Sequence, residues 1–360
     1  VKTAFVQSDF KGKVGERELR LNAGVRFSGT DTKIDNFKQQ GASLVYSPNH
    51  EQGSYSNLLP AVSAAFDLTE NLMWRASWGK TITRASLSII AAQTVIPNQF
   101  DNTATSGNPN LRPQQSKNLD TSLEWYFSPG SLLSGAIFQK ELTDATVANT
   151  QIVSFGSLGL PDTALGPLFQ DAAGRVDPNL AMTLRSYTNA GEQKLKGYEL
   201  AYQQAFSFLP APFNGMGALA SYTHIDPFNS ARWITNAGKE IEVNSVPKYA
   251  YSTTLYFENG PVAMRMSYNY KGKSLHGDNP RNTGDDLIRW RAGRGYLDAN
   301  ISYKISEKLE FRIDALNLSN TLAQDYFEDA SGQYGSGKKT RMDYAKYDGR
   351  TIKFGIRGKL

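Results

Sequence analysis

The sequence predicts an all-β protein, a transmembrane antiparallel up-and-down β-barrel. Three observations predict it. About thirteen segments alternate apolar and polar residues with period two, as in Leu119–Phe127 before the tight turn Ser128–Gly130. Short turns and long polar gaps alternate along the chain. No apolar run reaches the length of about 18 residues that a transmembrane helix needs.

The predicted strands follow one another from the first residues to the last. In order they are Lys2–Lys11, Leu19–Phe27, Leu58–Phe66, Leu72–Gly79, Leu119–Phe127, a return strand from Ser131, Gly197–Phe208, Gly215–Ile225, Tyr249–Phe257, Val262–Lys271, Leu297–Ile305, Leu309–Ala315 and Ile352–Leu360. Strands of this length approach the roughly 9–11 residues needed to cross a bilayer.

The connections are of two kinds. Tight turns lie at Asp67–Asn71, Ser128–Gly130, Glu258–Pro261 and Ser306–Lys308, and we expect them at one end of the sheet. Six long gaps, beginning with residues 30–53, are expected at the other end. Bacterial outer-membrane barrels have this asymmetry, with short periplasmic turns and long extracellular loops.

Alternation also assigns a face to each strand residue. The residues expected to face lipid are Trp74, Leu123, Met266, Ile301 and Phe311, and those expected to face the lumen are Arg75, Glu124, Arg265, Asn300 and Arg312. Aromatic residues near strand ends fit an interfacial girdle. They are Trp125, Tyr126, Phe127, Tyr256 and Phe257.

Composition narrows the classes of function. The 360 residues carry a net charge of +5 without a basic block, and contain no Cys and three widely separated His residues. These features predict no nucleic-acid partner, no metal site and no cofactor. No nucleophile–base pair has a credible setting, so no enzyme is expected.

Several stretches together resemble the barrel of TonB-dependent outer-membrane receptors. They are GNPNLRP at Gly107–Pro113 with the hairpin after it, LLPAVSAAFDLTENLMWRASWGKTITRASL at Leu58–Leu87, FRIDALNLSNTLAQDYF at Phe311–Phe327 and GRTIKFGIRGKL at Gly349–Leu360. The resemblance covers essentially all of residues 1–360. It implies a 22-stranded barrel plugged by an N-terminal domain, of which this chain is the C-terminal portion, about 13 strands. The plug and the first strands are then missing.

The resemblance implies TonB-energised uptake of a scarce nutrient across the cell outer membrane of a Gram-negative bacterium. The nutrient is expected to be either an oligosaccharide or a siderophore–iron complex. Expected partners are outer-membrane lipid, the TonB complex through the missing N-terminal region, and a small-molecule nutrient ligand. The alternative is a passive porin or channel made from the same kind of barrel. A soluble secreted adhesin or carbohydrate-binding module is a third class.

Two outer gaps, residues 226–242 and 272–293, mix aromatic rings with charged and amide groups. Such groups suit a sugar, and Arg beside aromatic rings suits an anionic iron chelate. The predicted substrate-binding residues are Arg232, Trp233, Asp285, Asp286, Arg289, Trp290 and Arg291. The segment Gly107–Pro113 is expected to be structural, because its Pro residues hold the chain extended where a loop re-enters the barrel.

The first and last strands are expected to be open edges. We expect Val1–Phe10 and Ile352–Leu360 not to pair with each other, which would leave an open, curved sheet. Unpaired edges are prohibitive in lipid, because each unsatisfied backbone group costs several kcal/mol there.

Overall fold

The computed structural model describes all residues except 41–44, 92, 229–231, 235–239, 243–245, 277–286, 330–338 and 359–360. Its strands are β1 (Lys2–Val14), β2 (Arg17–Gln40), β3 (Val45–Asp67), β4 (Leu72–Thr83), β5 (Thr103–Thr105), β6 (Gln114–Ser128), β7 (Ser131–Thr143), β8 (Ala145–Ser154), β9 (Ala181–Ala190), β10 (Gln193–Ala205), β11 (Met216–Phe228), β12 (Arg232–Ile234), β13 (Glu240–Glu242), β14 (Tyr249–Asn259), β15 (Val262–Lys271), β16 (Ser274–Leu275), β17 (Leu287–Arg291), β18 (Arg294–Ser306), β19 (Leu309–Leu316), β20 (Leu322–Asp329), β21 (Lys339–Tyr347) and β22 (Thr351–Gly358). One short helix, α1, spans Leu87–Ile90.

The main sheet has 13 strands in the order β1-β2-β3-β4-β6-β7-β10-β11-β14-β15-β18-β19-β22, and every neighbouring pair is antiparallel. This confirms the predicted number of strands and the up-and-down order. Among the described residues β1 pairs only with β2, and β22 pairs only with β19. The two edges therefore do not pair with each other, as expected.

The tight turns lie side by side at one end of the main sheet. The Tyr126 amide donates to the carbonyl of Asn71 at 2.7 Å, and the Lys304 amide donates to that of Pro261 at 2.9 Å. The Asn259 side-chain amide reaches the Pro212 carbonyl at 3.3 Å. These bonds join each turn to its neighbour, and they confirm the prediction that all tight turns share one end.

The strand register divides the main sheet into two faces. Residues directly opposite in an antiparallel pair lie on the same face, and Trp74 is opposite Leu123, as Tyr303 is opposite Phe311. We call this the apolar face. The residues expected to face the lumen lie together on the other side, the charged face, where Arg75 Nε binds Glu124 Oε1 at 2.8 Å. The predicted grouping of residues into two faces is confirmed.

The assignment of aromatic residues to one girdle was wrong for two of them. The Tyr126 hydroxyl donates to Glu124 at 2.7 Å, and Tyr256 is opposite Arg265, so both rings lie on the charged face. Gly217 is directly opposite Tyr256, and a Cβ there would collide with the Tyr256 ring. Neighbouring residues at a strand end point to opposite faces, so a run of aromatic residues cannot lie on one side.

The long gaps are not irregular loops throughout. Strands β2 and β3 continue as one hairpin to the pair Gln40 and Val45, through most of the gap 30–53. The gap 148–183 contains most of β8 and the start of β9, which pair with each other. The segment between these two strands packs on β9 in a small core that buries Phe155, Leu165, Val176 and Met182. A buried core therefore lies in a loop, outside the main sheet.

Candidate functional site

Two neighbouring outer loops are joined into one sheet. The loop after β15 supplies β16 and β17, and the loop after β19 supplies β20 and β21. Strand β17 pairs with β20 from Leu287 opposite Asp329 to Arg291 opposite Asp325. We call the resulting sheet β16-β17-β20-β21 the outer loop sheet. Because its strands come from both loops, the two loops are positioned together.

One side of the outer loop sheet is charged and centred on Asp325. This residue is only 7% exposed. Its carboxylate lies 3.5 Å from His276 Nε2, 3.7 Å from Arg289 Nη2 and 3.7 Å from Arg291 Nε. Arg289 also contacts Asp343 on β21. The Arg291 side chain remains 44% exposed, so it is the arginine of this cluster most accessible to a dissolved ligand.

The opposite side of the outer loop sheet is apolar. Leu275 and Ile288 are buried, and Trp290 packs against them. The Lys273 ammonium lies 4.5 Å from the centre of the Trp290 ring. Tyr326 is directly opposite Trp290, and its burial, followed by the nearby Glu328 carboxylate, raises its pKa. Trp290 is therefore part of the packing that holds the two loops together.

A second group of cations lies on the charged face of the main sheet. Arg84, Lys140, Lys271 and Arg294 are at the ends of strands nearest the long loops, and Arg26 lies within β2. Lys271 is directly opposite Arg294 across β15 and β18. Like charges placed opposite each other in a sheet are destabilising. Within the described part of the chain, neither side chain forms a salt bridge.

Arg84 is the one member of this group that donates hydrogen bonds to two hydroxyl groups. It donates to Ser28 Oγ at 3.0 Å and to Thr30 Oγ1 at 3.2 Å. Both hydroxyl residues are buried on β2. A sequence signal existed for Lys271, because alternation from Arg265 assigns it to the charged face. Alternation from Arg75 would place Arg84 on the other face, and Arg84 lies beyond the end of β4. The sequence predicted site residues in the loops instead.

A family model described as "TonB dependent receptor-like, beta-barrel" matches residues 2–318. The chain belongs to this family. Members of the TonB-dependent receptor family are barrels of the Gram-negative outer membrane, and they are receptors and transporters rather than enzymes. No curated protein sequence matches the chain.

Solved TonB-dependent receptors share the fold of this barrel. The ferric-catecholate import receptor Fiu of Escherichia coli K12 is 14% identical, with a TM-score of 0.63 over 99% of this chain and 44% of that one. The FrpB iron transporter of Neisseria meningitidis is 14% identical, with a TM-score of 0.59 over 99% and 44%. A mutant of the ferric enterobactin receptor PfeA of Pseudomonas aeruginosa, in complex with enterobactin, is 15% identical, with a TM-score of 0.56 over 99% and 54%. The chain thus spans about half the length of these proteins.

The structure brings together only part of the predicted site of this TonB-dependent barrel. Arg289, Trp290 and Arg291 are consecutive on β17, with the arginines on the charged side and Trp290 on the apolar side. Arg232 and Trp233 lie on β12, which pairs with β13, and their side chains are outside the described set. Asp285 and Asp286 lie outside the described residues.

The segment Gly107–Pro113 of the barrel anchors one loop to another. The Asn108 side-chain amide donates to the Tyr187 carbonyl at 2.9 Å, and Leu111 is 3% exposed. Arg112 binds Asp144 at 2.6 Å, and its backbone exchanges two hydrogen bonds with the Asn189 side chain. These contacts bear out the expected structural role.

Among the described residues, no group of three or more His, Cys, Asp or Glu side chains is arranged to hold a metal ion. The described helices are all too short or too polar to span a membrane.

Proposed function

We propose that this chain forms barrel wall and outer loops of a receptor that takes up an iron–siderophore complex. The family membership places the chain in the outer membrane. The similar structures bear names that include ferric-catecholate import and ferric enterobactin. These names concern the other proteins, and they motivate the ligand class proposed for this one.

The observation that carries the proposal is the pair Lys271 and Arg294. Two cations lie opposite each other on the charged face, close to the outer loops, without a carboxylate partner among the described residues. Lys140 lies on the same face near the loop end of β7, Arg84 directly follows the loop end of β4, and Arg26 lies on this face within β2. An anionic ligand relieves the repulsion between such cations and accepts charge-assisted hydrogen bonds from them. A ferric catecholate is an anion of this kind, whereas a neutral oligosaccharide is not.

The predicted loop residues form the outer part of the proposed route. Arg289 and Arg291 would offer positive charge on the charged side of the outer loop sheet, and Arg291 is the more exposed of the two. Trp290 supports the loop by packing. Arg232, Trp233, Asp285 and Asp286 stay in the proposal as ligand contacts of the loops 226–242 and 272–293.

Uptake by this receptor is proposed to be energised by the TonB complex, which would act through a plug domain outside these 360 residues. A passive channel remains the alternative function. The two differ in their energy requirement, since only the receptor needs the TonB complex to move a bound ligand inward.

The test uses the full-length protein and a ferric tris-catecholate as the probe. Replacing Lys271 and Arg294 together by Gln should weaken binding about tenfold or more, because two charge-assisted contacts are lost. The matched control replaces Lys13 and Lys308 by Gln, which removes the same charge at the tight-turn end. Equal affinity of the two double variants would refute the proposed anion site.

A further inference from the structure

Strand β8 forms an open edge of a small sheet in the outer loops. This sheet has the order β5-β9-β8, and β8 pairs with β9 from Ala145 opposite Ala190 to Ser154 opposite Ala181. No other strand among the described residues pairs with β8. A strand that is paired on one side presents a row of backbone N–H and C=O groups on the other side. The open side of β8 therefore offers hydrogen bonds to another extended chain.

Both ends of β8 are fixed in place. Asp144 separates β8 from β7 and has a left-handed backbone conformation, with a φ of 57°. Its carbonyl accepts a hydrogen bond from the Asn189 side chain at 2.8 Å, and its carboxylate binds Arg112 at 2.6 Å. At the other end, Val153 packs against the small core that contains Met182. The edge is therefore pre-formed, so that a partner strand can bind without first ordering it.

The open edge of β8 lacks the features that protect most edges of natural sheets. Natural proteins block such edges with charged side chains, with proline or by keeping the strand very short. The ten residues of β8, ATVANTQIVS, include no charged residue and no proline, and five of them are β-branched. Ile152 is 70% exposed on this strand. The strand has the composition of a central strand, although it lies at an edge.

The other open edges of the outer strands are protected. Strands β5, β12 and β13 have three residues each, and β16 has two. Charges or prolines mark the longer edges: Lys339, Arg341, Asp343 and Lys346 on β21, Asp31, Lys33 and Asp35 on the extension of β2, and Pro48 and Pro60 on that of β3. Beyond β5, the open side of β9 is covered by the segment 106–112, where the Ser106 amide donates to the Arg185 carbonyl at 3.0 Å. Among the outer strands that the structure describes, β8 is thus the one long edge without protection.

A flexible extended segment fits this edge better than a second folded copy of the chain. An edge of ten residues is about 34 Å long and one strand wide. Such an edge is smaller than the roughly 1,000 Å² that a stable interface between two folded proteins buries. An extended segment instead gains main-chain hydrogen bonds along its whole length and packs its side chains on both faces. On one face it would meet Val147 and on the other Ile152, both of which are exposed. Because β8 has no charge to pair with, the complementary segment is uncharged.

We propose that β8 is a docking site for an extended, uncharged segment of another protein at the cell surface. The segment would add to the sheet β5-β9-β8 as a fourth strand. It would run antiparallel to β8, since antiparallel pairing is slightly more stable per residue than parallel pairing. A β-branched or aromatic residue of the segment opposite Ile152 would pack on this exposed side chain. The inference concerns a partner protein, and it does not depend on the transported ligand.

The experiment measures binding of a fluorescent ten-residue peptide to the full-length protein in detergent. The probe peptide has the sequence of β8, because antiparallel pairing centred on Thr150 then places Val147 opposite Val153 and Ala148 opposite Ile152. The wild-type protein should bind the peptide, and hydrogen exchange should slow in β8 but not in β21. The variant Ala148→Lys, Ile152→Lys should bind it about tenfold or more weakly, because lysines block an edge.

The control variant Ala345→Lys, Tyr347→Lys adds the same charge to the exposed strand β21. It should bind the peptide as the wild type does. A peptide with Ala148→Glu and Ile152→Glu should recover binding to the variant with lysines in β8, since each Glu then lies opposite a Lys. Absence of peptide binding by the wild-type protein, equal binding by the two lysine variants, or absence of this recovery would each overturn the proposal.

Two further measurements separate this proposal from its alternatives. Dimers of the wild-type protein that dissociate in the variant Ala148→Lys, Ile152→Lys would assign the edge to a second copy, and would overturn the choice of another protein. Uptake of the ferric catecholate by the same variant should equal that of the wild type. The loss of peptide binding is then distinguishable from a failure of the proposed transport function.

Discussion

The carboxylate of Asp325 lies 3.7 Å from Arg291 Nε, across the boundary between two outer loops. Asp325 belongs to the loop after β19, whereas Arg291 belongs to the loop after β15. Since Asp325 is almost fully buried, the contact is shielded from solvent on one side. Charge and backbone pairing therefore act together to hold the outer loop sheet in one piece.

Replacing Asp325 by Asn should loosen the outer loop sheet. The substitution removes the carboxylate that His276, Arg289 and Arg291 contact. Removing one partner of a buried ion pair is destabilising, because the other charge is left without compensation. Hydrogen exchange of β17 and β20 should accelerate, while protection of the main sheet stays unchanged. The control is Asp171→Asn in another loop, where Asp171 and Arg175 are exposed. Unchanged exchange in β17 would show that backbone pairing alone holds the loops.

The two faces of β18 should differ sharply in their tolerance of Arg. Ile301 is 43% exposed on the apolar face, whereas its neighbour Asn300 donates to Asp314 Oδ1 at 2.6 Å on the charged face. Ile301→Arg should cost about 2–4 kcal/mol in a bilayer. Asn300→Arg should cost little, because Asp314 can pair with the new guanidinium. The free energy of unfolding of each variant in lipid vesicles measures its cost. Equal costs for the two variants would count against the assignment of Ile301 to the lipid face and of Asn300 to the lumen.

The outer loop sheet should weaken at alkaline pH. Burial raises the pKa of Tyr326 above its ordinary value of 10.0, with a smaller contribution from Glu328. Because the folded pKa is the higher one, the stabilising contribution is complete below pH 10.0 and is lost as pH rises through the folded value. Proteolysis of this loop pair between pH 9 and pH 11.5 should therefore accelerate with pH. Tyr326→Phe should flatten that dependence, and an unaltered profile would exclude Tyr326 as its source.

Two tryptophans of the outer loops should behave differently when replaced by Ala. Trp290 packs on Leu275 and Ile288, so Trp290→Ala should accelerate hydrogen exchange in the outer loop sheet. It should also lower the affinity for the ferric catecholate, because the loop that carries Arg291 is loosened. Trp233→Ala should lower the affinity for the ferric catecholate without that change in exchange. Both are measured in the full-length protein. Unchanged affinity in both single variants and in the double variant would remove these residues from the proposed ligand site.

The main sheet could be predicted from the sequence because its two faces meet different surroundings. Apolar residues such as Leu123 alternate with charged ones such as Glu124, and this period-two signal gives both strand position and facing. The tight turns followed from the same pattern. The strand count and the end at which the turns lie were therefore accessible without a structure.

The outer strands could not be predicted in this way. In the extension of β2 and β3 from residue 30 onward the residues are mostly polar, so no apolar alternation marks the strands. The pairing of β17 with β20 joins residues that are 34 to 42 positions apart, and no local signal indicates which loops will meet. The partners of Arg289 and Arg291 were inaccessible for the same reason.

The most direct test of the central claim is uptake of a radioactive iron–catecholate complex by cells that carry the full-length protein. We expect uptake that requires both this protein and the TonB complex, and that is not competed by a neutral oligosaccharide. Uptake that persists without the TonB complex would indicate a passive channel. Binding and uptake of the oligosaccharide in place of the iron complex would contradict the proposed iron–siderophore receptor.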